Sequence, residues 1–318
     1  ISINSKIIKK NDIFFAIKGK KIDGNRFVPE AFKKKSSLSI VNRINKKYST
    51  SKQIKVKNTL DFLTQCSSIF RENINAKIIT ITGSCGKTTL KEMIGETLKN
   101  ISKTTYSQKS FNNKYGVPLS LFNLKQNDHF GVFEVGMDKK GEIDTLTKII
   151  KPDLGIITNI SYAHSKNFKN INKIAEAKAE IMNNIKINGT IVLNMDDIFY
   201  GFLKNLALRK KLKVVSFGIQ NKSSMSKLVK IKKIKDKYEL FISIDGLIVS
   251  FYSYNCNRSN LYNILATLAS INLYVDIKKL KKNTFLNFKT PSGRGDISQL
   301  KLGNKKIFLI DESYNSNP

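Results

Sequence analysis

The sequence predicts an α/β protein in which a small mixed α/β unit precedes a mostly parallel sheet flanked by helices. From Lys77 onward, short apolar segments alternate with stretches of helical periodicity. This alternation is typical of parallel strands connected by helices that cover the sheet. The apolar segments are AKIITIT, FGVFEVG, LGIITNI, GTIVLN and KVVSFG, and the helical stretches lie near 141–150, 171–186 and 198–210.

The first 76 residues have a different pattern. NDIFFAIKG predicts a short strand, GKKIDGNRF a turn, PEAFKKK a helix with Pro29 in its first turn, and SLSIVNRI a second strand. We therefore expect one domain over residues 1–76 and a second, P-loop-type domain over 77–310. Within the second, YELFISIDGLIVSFYSY predicts a hairpin with a type I′ turn at Asp245-Gly246.

Composition excludes several classes of protein. The chain has 318 residues, of which 41% are apolar, as is typical of a globular protein with about two domains. It contains no uncharged apolar run of about 18 residues, which excludes a transmembrane helix, and its start does not have the pattern of a signal peptide. Three scattered cysteines predict neither a disulfide framework nor a zinc site. We expect a cytoplasmic protein, with a monomer as the default.

The net charge of +32 raises the alternative of a nucleic-acid-binding protein. Arg occurs at only six positions, however, and the abundant residues Lys, Asn and Ile all have AT-rich codons. The lysines are spread along the whole chain, whereas proteins that read bases favour arginine. The composition therefore indicates genome bias, and we expect no nucleic-acid partner.

The most specific motif is TGSCGKTT at 82–89, between an apolar strand and a segment of helical spacing. Its glycines let the backbone curl so that N–H groups and the helix N-terminus face a phosphate. The lysine is expected to reach the terminal phosphates and the next threonine to give its hydroxyl to Mg²⁺. Cys85 is interpreted as a tolerated small residue rather than a catalytic thiol. The predicted nucleotide-binding residues are Gly83, Ser84, Cys85, Gly86, Lys87, Thr88 and Thr89.

Two further residues follow neighbouring predicted strands. Glu134 ends FGVFEVG, where carboxylates often hold a metal beside a nucleotide, and Mg²⁺ needs only one or two of them. An ordinary salt bridge is the alternative. His164 follows LGIITNI at the same expected sheet edge, and taken alone it is interpreted as a surface histidine.

Eight segments then follow one another along the chain: TGSCGKTT, SFNNKYGVPLSL, FEVGMDKKGEI, KPDLGIITNISYAHSKNF, AEAKAEI, NGTIVLNMDD, SGRGD and DESYNSNP. In this order they resemble the Mur ligase family, the ATP-dependent amide ligases of peptidoglycan synthesis, over essentially the whole chain. NNKYGVP and VGMDKKGEI resemble most closely the members that add D-alanyl-D-alanine to UDP-N-acetylmuramoyl-tripeptide. The resemblance implies ATP, Mg²⁺, these two substrates and an acyl-phosphate intermediate.

The resemblance also implies roles for single residues. Lys87 and Thr88 would bind the β- and γ-phosphates and Mg²⁺, and Glu134 would ligate magnesium, with His164 at a second ion. Lys178 matches a family lysine that CO₂ carbamylates, which turns a cation into an anionic metal ligand. The remaining matches are Asn260, Asn263, Arg294 and Asp311 for the base and ribose of ATP, Asn112 and Asn113 for the peptide substrate, and Ser5, Asp23 and Gly24 for the uridine end.

The chain also departs from the family pattern. Asn4-Ser5-Lys6 stands where the family has Asp-Ser-Arg, and Ser259 stands where a His is usual. Family members continue past YNSNP into a third domain that helps to bind ATP and the dipeptide. We expect residues 311–318 to be its start, the given chain to be a fragment, and its ligase turnover to be weak or absent.

Two alternatives remain open. One is another ligase of the same superfamily, such as the diaminopimelate- or lysine-adding enzyme or folylpolyglutamate synthase, which would not be expected to carry Asn-Asn-x-x-Gly-Val-Pro. The other is a nucleotide-binding module without catalysis.

Overall fold

A computed structural model describes residues 1–19, 21–162, 167–294, 296–303, 305–311 and 313. In this part of the chain, short 3-10 turns accompany longer helices and strands. The helices are α1 (Val28–Lys33), α2 (Thr59–Glu72), α3 (Lys87–Lys99), α4 (Gly116–Leu121), α5 (Glu142–Ile150), α6 (Ile171–Ala179), α7 (Tyr200–Arg209) and α8 (Arg258–Ile271). The strands are β1 (Ile13–Phe15), β2 (Leu38–Val41), β3 (Gln53–Lys55), β4 (Lys77–Thr82), β5 (Thr104–Tyr106), β6 (Phe130–Glu134), β7 (Leu154–Ile157), β8 (Thr190–Asn194), β9 (Lys213–Gly218), β10 (Ser226–Ile234), β11 (Lys237–Ile244), β12 (Leu247–Ser253), β13 (Asp296–Leu302) and β14 (Lys305–Asp311).

The chain begins with a small three-stranded sheet in the order β1-β2-β3, in which neighbouring strands are parallel. Helix α1 connects β1 to β2 and packs its buried residues Val28 and Ala31 against Phe14. Pro29 lies in its first turn, where the missing N–H costs no hydrogen bond. The strand, helix and strand predicted for this region are confirmed.

The largest sheet among the described residues has nine strands in the order β12-β11-β10-β9-β8-β7-β4-β6-β5. The strands from β5 to β10 pair in parallel, and β10, β11 and β12 pair antiparallel at one edge. Strands β6, β7 and β8 are buried at every residue, as expected where helices cover both faces of a sheet. The predicted α/β class is therefore confirmed.

Two layers of helices cover this sheet. Apolar residues of α3 and α8, such as Leu90 and Leu268, form one buried cluster on one face. Residues of α4 to α7, such as Val117, Leu146 and Leu203, form a second cluster on the other face. None of the helices in the described part of the chain is long and apolar enough to cross a membrane.

The hairpin of β11 and β12 turns at Asp245 and Gly246, with φ of +49° and +86°. Both values are positive, as a type I′ turn requires, so the predicted hairpin is confirmed. A second hairpin, β13 with β14, exposes apolar side chains such as Phe308 and Leu302, and the alternating pattern of the sequence did not single it out.

Arg71, near the end of α2, ties the first unit to the large sheet. Its guanidinium donates from Nε to the carbonyl of Ile150 (2.9 Å) and from Nη1 to that of Ile74 (2.6 Å). Asp153 lies 3.9 Å away and supplies the opposite charge. A buried arginine is stable only when its donors are satisfied in this way, so these contacts fix where α2 ends against α5 and β7.

We expect Arg71→Met to lower the free energy of unfolding by about 3 kcal/mol, because it leaves the carbonyls of Ile150 and Ile74 without their buried donor and removes a cation beside Asp153. Arg209→Met at the exposed end of α7 is the matched control and should change it by less than about 0.5 kcal/mol. Urea unfolding followed by circular dichroism measures both. Equal losses in the two variants would contradict the role given to Arg71.

Candidate active site

Functional side chains meet at the carboxyl edge of the large sheet. The chain runs from β4 to the outer strand β5, returns to β6 beside β4, and then crosses to β7 on the other side of β4. The strand order therefore reverses at β4, and open α/β sheets bind ligands at such a point. The loops that follow β4, β6, β7 and β8 all begin at this edge.

The segment after β4 forms a phosphate loop that leads into α3. Gly83 and Gly86 have φ of +146° and +80°, which other residues adopt only with strain. The loop is held from β7, because Cys85 N donates to Asn159 Oδ1 (3.0 Å) and Thr158 Oγ1 donates to Cys85 O (2.6 Å). A Cβ at Gly83 would lie 1.8 Å from Thr158 Oγ1, so this contact requires glycine.

The first turn of α3 meets the end of β6 through Thr88 and Glu134. Thr88 Oγ1 donates to Glu134 Oε2 (2.7 Å), and Asn112 Nδ2 donates to Oε1 of the same carboxylate (2.7 Å). A hydroxyl and a carboxylate beside a phosphate loop are the hard oxygen ligands that Mg²⁺ prefers, so these residues fit a magnesium ion bound together with phosphate oxygens. The described residues contain no group of three or more His, Cys, Asp or Glu side chains that could hold a metal by themselves.

A half-buried lysine, Lys87, and a buried one, Lys178, converge on one carbonyl of the loop. Lys87 Nζ donates to Gly83 O (2.9 Å) and Ser84 O (3.1 Å), and Lys178 Nζ, from α6, also donates to Gly83 O (2.9 Å). Burial lowers the pKa of Lys87, although the charge of Glu134 opposes the shift. Burial, together with the positive charge of Lys87, lowers the pKa of Lys178 well below its ordinary value. The site therefore favours anionic ligands and a neutral Lys178 amine.

A cavity of about 1050 Å³ opens beside the loop. Asn263 lies next to the loop, with its Oδ1 3.4 Å from the position that a Cβ of Gly86 would take. Asn260 donates to Asn255 O (2.6 Å), and Arg294 donates to Ser110 Oγ (3.0 Å). The predicted residues that line the cavity are Ser84, Cys85, Gly86, Lys87, Thr89, Asn112, Asn113, Glu134, Asn260, Asn263 and Arg294.

Asp311 lies beside this cavity without lining it. It stands in β14 opposite Asp296. Hydrogen bonds from Ser313 and from the N–H of Gly293 lower the pKa of its carboxyl group. Gly293 lines the cavity, so Asp311 contacts the cavity wall through this residue and does not face the cavity itself.

The predicted uridine-side residues lie in the first unit instead. Ser5 Oγ donates to Glu30 Oε2 (2.6 Å), and Asp23 Oδ1 accepts from Asn25 N (3.0 Å). A Cβ at Gly24 would lie 2.6 Å from the backbone of Ala16, so the turn packs closely on β1. A second cavity of about 310 Å³ adjoins them and is lined by basic and amide side chains, among them Asn25, Arg26, Arg43, Asn45 and Lys46.

His164, predicted at a second metal ion, lies outside the described residues. Sequence reasoning also missed Thr158 and Asn159, which hold the loop, and Ser110, which meets Arg294. The signal for the first two was their place near the end of the apolar segment LGIITNI, at the same edge as the loop.

The family model described as "Mur ligase middle domain" matches residues 81–271, which make up more than half of the chain. The chain belongs to the Mur ligase family. Among curated members, it is 33% identical over 323 residues to the UDP-N-acetylmuramoyl-tripeptide–D-alanyl-D-alanine ligase of Buchnera aphidicola, and the match covers 100% of this chain and 68% of that protein.

Two crystal structures extend the family likeness to the fold. The MurF of Acinetobacter baumannii matches with a TM-score of 0.87 and 27% identity, over 99% of this chain and 67% of its own. The MurF ligase of Thermotoga maritima in complex with ADP matches with a TM-score of 0.83 and 26% identity, over 99% of this chain and 71% of its own. The chain thus spans about two thirds of these Mur ligases.

We expect Gly83→Ala to abolish binding of Mg-ADP, because its methyl group would displace Thr158 and, with it, the phosphate loop. Gly201→Ala is the matched control, since a Cβ there meets nothing within 4 Å and the residue lies in α7. Calorimetric titration with Mg-ADP measures both variants. Wild-type affinity in Gly83→Ala would show that the loop does not need this glycine.

Proposed function

We propose that this protein is an ATP-dependent amide ligase that joins D-alanyl-D-alanine to UDP-N-acetylmuramoyl-tripeptide. The observation that carries the proposal is the position of Glu134 between Thr88 and Asn112. One carboxylate thereby links the phosphate loop to the segment NNKYGVP, which resembles the family's substrate-side segment. Likeness to ligases of this specificity over the whole chain supports it.

The residues at the loop have different roles in the proposed phosphoryl transfer. The N–H groups of Ser84 and Cys85 are taken up by Asn159, so the N–H groups at the start of α3 are the ones that would face the phosphates, and the Lys87 ammonium would move from the loop carbonyls to phosphate oxygens. Thr88 and Glu134 would hold magnesium, which neutralises charge on the transferring group. Asn112 keeps the Glu134 carboxylate turned toward Thr88. These groups mainly position the reactants and stabilise the developing charge.

The chemistry proceeds in two substitutions. The terminal carboxylate of the tripeptide attacks the γ-phosphorus of ATP, the bond to the β-phosphate oxygen breaks, and ADP leaves. The amine of D-alanyl-D-alanine then attacks the acyl carbon of the acyl phosphate. Phosphate leaves with one oxygen of the original carboxylate, and the nitrogen loses a proton.

We assign the two ends of the acceptor substrate to different parts of the chain. The basic cavity of Arg26, Arg43 and Lys46 suits the diphosphate and uridine end, in a substrate-binding domain of residues 1–76. The cavity beside Asn112 suits the peptide end, in an ATP-binding domain of residues 77–310. The three cysteines form no disulfide with one another, which suits a reducing, cytoplasmic setting. We also propose that the protein is a monomer.

We also propose that Lys178 carries a carbamate. Burial and the charge of Lys87 lower the pKa of its amine and so favour the neutral form, and only a neutral amine attacks CO₂, forming a C–N bond and releasing a proton. The product is an anionic group beside Lys87 and the loop, which suits a metal ligand.

With ¹³C-labelled bicarbonate, the protein should show a carbamate carbon resonance that Lys178→Gln lacks and Lys173→Gln, an exposed change on the same helix, retains. The signal should weaken as the pH falls, because protonation of the amine removes the reacting form. A signal that survives in Lys178→Gln would place the carbamate elsewhere.

Ligand titrations test the proposed specificity directly. We expect the chain to bind Mg-ATP and UDP-N-acetylmuramoyl-tripeptide but not a folyl-glutamate, and to form the amide product, at whatever rate, only when ATP, tripeptide and dipeptide are all present. Lys87→Met should weaken Mg-ATP binding by several kcal/mol, because a charge facing the phosphates is lost.

Lys99→Met, at the exposed end of α3, is the control and should bind both ligands normally. Binding of ATP without binding of the tripeptide would favour a nucleotide-binding module or a ligase of another substrate. Unchanged ATP affinity in Lys87→Met would contradict the site itself.

A further inference from the structure

Lys91 lies one helical turn after Lys87 and is completely buried, with 0% of the residue exposed. Lysine is almost never buried to this extent unless its ammonium group is paired. Here Nζ donates to the carbonyl oxygens of Ser107 and Lys109 (2.8 Å for the latter) and to Glu92 Oε1 (2.6 Å). An ammonium group has three N–H donors, and each therefore has an acceptor.

The two carbonyls belong to the segment that leaves the sheet after β5. Ser107 N still donates to Val132 O of β6 (2.9 Å), and after Ser107 the chain turns away from the sheet. Lys109 has a φ of +49°, which a non-glycine residue adopts only when its surroundings hold it. The Lys91 ammonium lies where these carbonyls point, so it holds the turn.

The same segment then supplies two contacts of the active site. Ser110 Oγ accepts from Arg294 (3.0 Å), and Asn112 Nδ2 donates to Glu134 (2.7 Å). Residues 107–112 thus connect a buried lysine of α3 with the proposed magnesium carboxylate and with an arginine of the cavity wall.

We propose that Lys91 is a positioning residue of this site: its buried ammonium fixes residues 107–112 against α3, so that Asn112 meets Glu134 and Ser110 meets Arg294. Lys91 acts through the segment and is not among the residues that line the large cavity. The effect on ligands rests on the proposed function, whereas the effect on the segment does not.

Lys91→Met isolates this role because it keeps most of the alkyl chain and removes the charge. The carbonyls of Ser107 and Lys109 then lose their donor, and the segment is free to turn them toward water. Lys99→Met makes the same chemical change at an exposed position of the same helix.

Hydrogen exchange of the ligand-free protein tests the structural part. In Lys91→Met the amides of residues 107–113 should exchange at least about tenfold faster, while those of β4 and β6 keep their wild-type rates. Lys99→Met should match wild type throughout. If Lys91→Met does not fold, Lys91→Gln, which retains two N–H donors, is judged by the same criterion. Wild-type protection of residues 107–113 in the folded variant would overturn the proposal.

A double-mutant cycle tests the functional part. Lys91→Met and Asn112→Ala should each weaken Mg-ADP binding by about tenfold or more, as loss of groups that orient a metal ligand does. Because Lys91 acts in part through Asn112 and in part through Ser110, the loss of Mg-ADP affinity in the double variant should be smaller than the product of the two single losses. If the loss of Mg-ADP affinity in the double variant equals the product of the two single losses, Lys91 acts independently of Asn112, and the proposal is overturned. If wild type itself does not bind Mg-ADP, the proposed function fails, and the exchange experiment still decides the role of Lys91.

Discussion

The hydrogen bond between Thr88 and Glu134 is the contact on which the site depends. It exists because β6 pairs with β4 in parallel, which places Glu134 opposite Ile81 and below the first turn of α3. The order of β4 and β6, the loop after β4 and helix α3 together place the Thr88 hydroxyl and the Glu134 carboxylate beside the backbone N–H groups at the start of α3. The covering helices α3 and α8 share one buried apolar cluster with the sheet, which anchors the start of α3 beside β6.

The electrostatics of the site follow from burial. Lys87 and Lys178 both donate to Gly83 O, so their amines lie close together and the charge of one disfavours the charge of the other. Burial lowers the pKa of both lysines, and the positive charge of Lys87 adds to the lowering at Lys178. A bound phosphate would offset the positive charge of Lys87, and a carbamate would place a negative charge on Lys178. These side chains thus favour a negatively charged group at the loop.

Local pattern was sufficient to predict the central elements. The strands β4, β6, β7, β8 and β9, the phosphate loop and the Asp245-Gly246 turn each have a signal within a few neighbouring residues. Glu134 was predictable because it ends an apolar strand. Helix α2 and the strands β3 and β5 were not singled out, since short edge strands and half-buried helices have weak periodicity.

Contacts between distant residues could not be predicted in the same way. Arg71, Lys91 and Lys178 are buried basic residues among many lysines, and only the fold shows which cations meet carbonyls from another element. Lys178 entered through family resemblance alone, and composition would have placed it in solvent. Asn159 holds the loop across 74 positions of sequence, a distance at which no periodicity operates.

The central claim is that Glu134 and Thr88 bind the magnesium of a nucleotide, and the magnesium dependence of ADP affinity tests it most directly. Calorimetry with and without Mg²⁺, on wild type and Glu134→Gln, separates metal from phosphate contacts, since glutamine keeps the shape of the side chain. We expect Mg²⁺ to strengthen ADP binding to wild type, and Glu134→Gln to lose that gain while keeping the metal-free affinity. An equal gain from Mg²⁺ in both proteins would contradict the account.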